Sequence, residues 1–113
     1  IGDGLQTRCF TYVDDAIKAT IAAGIAPNTD GEVFNVGTDV ETSILDLAKL
    51  MIDISGSKST IRFVSKEEVY GTSYEDIARR VPDARKMREA LGVQTEVSLR
   101  DGLARTIEWF RTQ

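Results

Sequence analysis

Apolar residues in this chain recur at helical spacing over long stretches but at strand spacing only over runs of five or six residues. That imbalance limits the folds open to it. From Val13 to Ala23, positions 13, 16, 17, 20 and 21 fall on one helical face. Asp14 and Asp15 lie in the first turn, where carboxylates suit the helix dipole, and Gly24 is a natural stop. A second helix is expected behind Ser43 as N-cap, with Asp46 at its third position and a stripe of Ile44, Leu47, Ala48, Met51 and Ile54 running to Gly56. Asp83 is expected to cap a short helix through Leu91, closed by Gly92. Ser98 caps the last one, with Asp101 at its third position and Leu99, Leu103, Ile107 and Phe110 along one side.

The strands are less substantial. Residues 7–12, 32–36 and 60–64 read as short extended runs, whereas 25–31 and the aperiodic stretch 65–81 read as loops. Two or three short strands make a poor sheet alone. The expected fold is therefore α/β, tending towards an α+β-like small lobe: short strands with about four helices, in one unit spanning 1–113, leaning on another body.

Composition narrows the chemistry. The 113 residues hold 14 Lys+Arg, 18 Asp+Glu, no His and a single Cys. Without histidine there is no Ser-His-Asp triad, and the commonest metal ligand is missing. Cys9 alone forms neither an internal disulfide nor a thiolate cluster and suits a reducing, cytoplasmic setting. No metal site is expected. A net charge of −4 disfavours nonspecific nucleic-acid binding, and no apolar run approaches membrane-spanning length. The chain has no Gly-x-Gly-x-x-Gly or Gly-x-x-Gly-x-x-Gly, no Walker loop, and no Tyr followed four residues later by Lys. It reads as a binding lobe rather than a catalytic one. Ile1 in place of Met fits a piece of a longer polypeptide.

Three clusters are candidates for binding. Arg8, Phe10 and Tyr12 project to one face of an extended segment, offering a planar cation for phosphate and rings for a base. The ordinary alternative is a surface arginine beside two core aromatics. Residues 74–83, from Tyr74 to Asp83, mix acceptors, donors and a ring and suit a hydroxyl-rich ligand, or else form a solvated loop with local ion pairs. Asn35-Val36-Gly37 ends a strand and reads first as a turn. Trp109 reads as a packing residue.

Gly2-Asp3-Gly4-Leu5-Gln6-Thr7-Arg8-Cys9-Phe10-Thr11-Tyr12-Val13-Asp14-Asp15 resembles a segment of the extended short-chain dehydrogenases/reductases, the NAD-dependent nucleotide-sugar epimerases and dehydratases. Phe34-Asn35-Val36-Gly37, then Ser43-Ile44-Leu45-Asp46-Leu47-Ala48, fall in that family's order. Asp76 to Asp83 with Lys86 and Leu91-Gly92, and Ser98 to Leu103 with Glu108-Trp109-Phe110, complete it. The likeness covers essentially the whole chain, but only the C-terminal part of the family.

The resemblance implies a substrate-binding lobe lacking its Rossmann half, the half that binds NAD and carries the Tyr/Lys proton-transfer pair. Arg8 would contact the diphosphate of a nucleotide sugar, Phe10 would lie near the nucleotide, and Asp76 would reach ribose or sugar hydroxyls. UDP-glucose 4-epimerases often carry an arginine where this sequence has Ser73, and Arg79 or Arg80 would substitute for it. The whole enzyme would take a hydride from sugar C4 and give an epimer, an elimination product or a decarboxylated sugar. It would be a homodimer, and the 113 residues alone a catalytically inactive monomer. Two other readings are the lobe of a non-catalytic or differently specific reductase-like protein, and a stand-alone protein-interaction module.

Overall fold

The computed structural model describes residues 2–65, 68, 69, 71 and 77–113. Among these, four helices and two short strands follow one another: β1 (Thr7–Cys9), α1 (Val13–Ile25), β2 (Glu41–Ser43), α2 (Ile44–Ser55), α3 (Arg85–Leu91) and α4 (Leu99–Arg111). The mixed α/β expectation and the helix count hold.

The local chemistry behaves as the spacing requires. Ser43 Oγ accepts the Asp46 N–H at 3.0 Å, and Ser98 Oγ accepts the Asp101 N–H at 3.1 Å, each satisfying a donor that the first helical turn leaves open. Gly56 and Gly92 close α2 and α3 in the left-handed conformation that glycine adopts without steric cost. α1 runs past Gly24 to Ile25 and ends at Ala26. α3 begins at Arg85 behind Ala84, one residue later than a cap at Asp83 would place it, although Asp83 Oδ1 still accepts the Arg85 N–H at 3.0 Å.

The strands differ more from expectation. β1 and β2 pair antiparallel, with Thr7 opposite Ser43, Arg8 opposite Thr42 and Cys9 opposite Glu41. β1 is shorter than the 7–12 run, and β2 ends on the Ser43 cap itself, where no strand pattern stands. Neither 32–36 nor 60–64 forms a strand: neither finds a ladder partner among the described residues. A strand is defined by its neighbour, and alternation alone supplies none. On the other edge of β1, the Thr7 N–H donates to the Ala78 carbonyl at 2.9 Å, a single parallel bridge that brings Arg79 alongside.

α4 packs on α2 and α1 on α3. The buried apolar residues are Ala19, Ala84 and Met87, with Leu91 and Val93 partly covered against them. α1 turns Asp15 and Ala19 inward and leaves Val13, Ile17, Ile21 and Ile25 half or more exposed, the reverse of what its hydrophobicity suggests. Asp15 is held by the loop after α3: its Oδ2 accepts the N–H groups of Glu96 and Val97 at 3.1 and 3.0 Å. The chain exposes 8123 Å², whereas a compact monomer of its 12.4 kDa exposes about 6,100 Å². Its radius of gyration of 17.1 Å likewise exceeds the ~13 Å of a compact domain this long. No described helix is long and apolar enough to cross a membrane.

Candidate functional site: a cleft beside Arg8 and Phe10

Three residue pairs make up β1–β2, and side-chain alternation divides its two faces. Arg8 and its partner Thr42 share one face. Thr42 and Phe10 line a cleft of about 410 Å³ whose far wall is Arg88 and the loop from Gln94 to Ser98. Arg8 is half-buried, and its Nη1 donates to the Thr7 carbonyl at 2.7 Å. Across the cleft, Arg88 Nη1 lies 3.7 Å from Asp39 Oδ2. The cleft thus holds one guanidinium, that of Arg88, with the Asp39 and Glu96 carboxylates, an aromatic ring and hydroxyls, while Arg8 adjoins it only through its strand partner Thr42. Phe10, Arg88 and the hydroxyls can engage a polar, partly aromatic solute there, and Arg8 stands beside them for an anionic group that reaches past Thr42.

Phe10 also closes a smaller, more apolar cavity of about 210 Å³ with Tyr12, Leu47, Met51 and Leu103. Tyr12 is wedged there against α4. A Cβ on Gly102 would stand 3.1 Å from Tyr12 Cδ2, so this glycine permits the close approach, and Arg105 lies 5.4 Å over the Tyr12 ring. The extended-segment cluster therefore divides: Phe10 lines the larger cleft with Arg8 beside it, while Tyr12 packs.

Thr7 and Cys9 point the other way, and Arg79 joins them. Its Nε lies 3.1 and 3.0 Å from the two Glu41 carboxylate oxygens and its Nη2 2.5 Å from Oε1, while Thr7 Oγ1 donates to Oε2 at 2.9 Å. The hydrogen bonds from Arg79 and then Thr7 hold the Glu41 carboxyl below its ordinary value. Burial, then the charges of Glu41 and Asp39, push the half-buried Cys9 thiol up, which makes it a poor nucleophile. Arg79 therefore does not stand with Arg8. Arg80 is exposed beside it. Asp76, with Ser73, Tyr74 and Glu75, lies outside the described residues.

The remaining candidates are bound up in local structure. Asn35 Nδ2 donates to the Asp83 carbonyl at 3.4 Å. The Asp83 carboxyl is drawn down to about 2 by hydrogen bonds from the Arg85 side chain and N–H. Lys86 pairs with Glu32 and sits 5.0 Å from the Phe34 ring centroid. Trp109 is 56% exposed, edge-on to Phe110, so the packing role expected of it is not met within this chain. The described residues bring together no metal-binding group of three or more His, Cys, Asp or Glu. Sequence spacing gave no sign of Arg88 and Thr42, which reach the cleft only through packing of distant segments.

No family model matches the chain. Individual proteins do. It is 44% identical over 110 residues to a UDP-N-acetyl-alpha-D-glucosaminuronate decarboxylase of Bacillus cytotoxicus, a match covering 97% of this chain and 34% of the relative. It superimposes with a TM-score of 0.85 and 33% identity on the UDP-glucose 4-epimerase of Thermotoga maritima solved with UDP-glucose, covering 99% of this chain and 34% of that one. The UDP-glucuronic acid 4-epimerase of Bacillus cereus, solved with UDP-glucuronic acid and NAD, gives 0.84 and 34%, again covering 99% and 34%. The chain spans about a third of the length of the relatives it matches. In sequence and fold it matches the C-terminal third of these proteins, as a fragment of an extended short-chain dehydrogenase/reductase of the UDP-glucose 4-epimerase-like kind would.

Proposed function

We propose that this chain is the nucleotide-sugar-binding lobe of an NAD-dependent UDP-sugar epimerase or decarboxylase. The observation that carries this reading is the match over nearly the whole chain, at 33–34% identity, to two epimerases solved with UDP-sugars. The Arg8–Phe10 cleft supplies a chemical reason for it. Arg8 pairs with the diphosphate and Phe10 packs against the nucleotide, with Asp76, Arg79 and Arg80 reaching ribose, sugar or phosphate from the neighbouring segment. Arg79 takes that part only by leaving Glu41.

NAD belongs to the other two-thirds of such an enzyme. The described helices start behind Tyr12, Ser43, Ala84 and Ser98, so none follows the glycine-rich turn that admits a dinucleotide pyrophosphate. The residues here do not fit that cofactor. No hydride or proton-transfer step is assigned to them, and the lobe alone is catalytically silent. The whole enzyme is read as a cytoplasmic homodimer and the 113-residue lobe as a monomer.

A titration of the 15N-labelled chain with UDP-glucuronic acid tests this. The largest shifts are expected at Arg8, Phe10, Thr42 and the 77–80 backbone. Shifts concentrated on α4, or none at millimolar ligand, would remove the site.

A further inference from the structure

The short run of chain that enters α1 contributes Phe10 to the cleft and holds two other stretches of its lining in place. Thr11 and Asp15, on that same run, do not line the cleft themselves. Thr11 Oγ1 accepts the Thr38 N–H at 3.1 Å, at the head of the stretch Thr38, Asp39, Val40. The approach is close: a Cβ on Gly37 would stand 3.2 Å from that oxygen. Asp15 Oδ2 accepts the Glu96 and Val97 N–H groups at 3.1 and 3.0 Å, within the stretch that runs from Gln94 to Ser98. One turn along α1, Lys18 Nζ donates to Glu96 Oε2 at 3.0 Å, a second tie to the same loop. Lys18 is exposed whereas Asp15 is buried, so the carboxylate is the tie that solvent and salt weaken least.

We infer that Thr11 and Asp15 are positioning residues for the candidate site: without touching a ligand, they fix the 38–40 and 94–98 stretches at a set distance from the Phe10 ring. The inference rests on reading the cleft as the place where a UDP-sugar binds, and adds what sets its width. Neither stretch has regular structure of its own to do this, since 38–40 and 94–98 belong to no helix or strand. A carboxylate oxygen that accepts two amide N–H groups makes charge-assisted bonds, stronger than those between neutral groups. Walls already held when the ligand arrives need no ordering on binding. Loss of a tie therefore lowers affinity even where every contacting side chain remains. Each tie can be cut or kept by a small change: Thr11→Val and Asp15→Ala remove the acceptor, whereas Thr11→Ser and Asp15→Asn retain one.

Amide exchange and ligand affinity together test this on the 113-residue chain, with UDP-glucuronic acid as the probe. The amides of Thr38, Glu96 and Val97 should exchange at least ~10-fold faster once their acceptor is lost, in Thr11→Val for the first and Asp15→Ala for the other two. Each of these variants should bind UDP-glucuronic acid about fivefold or more weakly, at a temperature where its far-UV spectrum matches the parent's. Thr11→Ser and Asp15→Asn should stay within about twofold of the parent. Leu91→Ala, which thins the core but cuts neither tie, should melt earlier and keep its affinity. Affinity that merely follows stability across the whole set would overturn the inference. So would parent-like binding by Thr11→Val and Asp15→Ala, or unprotected amides at 38, 96 and 97 in the parent. If Asp15→Ala does not fold, the Thr11 variants decide alone. A parent that binds no UDP-glucuronic acid at millimolar concentration would remove the substrate reading and this inference with it, whereas a parent that binds beside unaffected variants would remove this inference only.

Discussion

Arg79 grips Glu41 with two nitrogens, Nη2 at 2.5 Å from Oε1 and Nε at 3.1 and 3.0 Å from the two oxygens, across 38 residues of sequence. The pair fastens the segment that follows residue 77 to β2, on the face of β1 opposite Arg8. Glu41 also receives the Thr7 hydroxyl, so one carboxylate ties three segments together.

The titration of Glu41 should report this pair. Its carboxyl lies below the ordinary 4.5 because the charged form accepts hydrogen bonds from Arg79 and Thr7. A depressed value means the pair's contribution to stability is complete above pH ~4.5 and is lost as pH falls through the lower, folded value. In Arg79→Ala the Glu41 midpoint, followed by carboxyl carbon shifts, should rise towards 4.5. An unmoved midpoint would show that the pair does not persist in solution.

Asp15 is the most consequential polar side chain in the fold. It is 2% exposed, and through Oδ2 it holds the Glu96 and Val97 N–H groups, while Oδ1 has no partner among the described residues. Asp15→Ala leaves two half-buried donors without their acceptor and should cost about 2–3 kcal/mol in urea unfolding. Asp15→Asn keeps an acceptor oxygen and should cost roughly half as much. Equal losses in the two variants would point to packing rather than to the carboxylate.

The two serine caps should be worth similar amounts. Ser43→Ala and Ser98→Ala each remove a side-chain acceptor from a first-turn N–H, at a cost of about 1 kcal/mol apiece. The caps lie on helices that pack together, so the double variant tests whether α2 and α4 unfold as one unit.

Gly102 is a steric prediction. Any side chain there meets Tyr12, 3.1 Å from the nearest ring carbon. Gly102→Val should destabilise the chain by ~2 kcal/mol through overpacking, outweighing the usual gain from removing a helical glycine. Near-UV circular dichroism of Tyr12 should change in step. A stabilised variant would mean that α4 is not seated on that ring.

What could be read from the sequence follows from how far each interaction reaches. The Ser43–Asp46 and Ser98–Asp101 caps and the Gly56 and Gly92 stops lie within a turn of the helices they bound, so spacing alone reveals them. The strands could not be read this way, because the pairing of Arg8 with Thr42 depends on what the chain does between them. The same distance hid the Asp15 contacts, 81 and 82 residues away, and the entry of Arg88 into the cleft. On α1 the hydrophobic face pointed away from the chain's own core, because small Ala19 and the acceptor Asp15 are what α3 and its following loop can accommodate. Arg8 and Phe10 were legible as candidates because two-residue alternation places them on one side. Arg79 was not separable from them until the Glu41 pair showed which face it takes.

The most direct measurement is the affinity of the chain and of Arg8→Ala for UDP and for uridine, by calorimetry at low salt. A diphosphate site predicts that UDP binds at least about tenfold more tightly than uridine, and that Arg8→Ala removes most of that difference while the far-UV spectrum and melting curve stay unchanged. Equal affinity for UDP and uridine, or an Arg8→Ala variant that binds UDP as the parent does, would contradict the account.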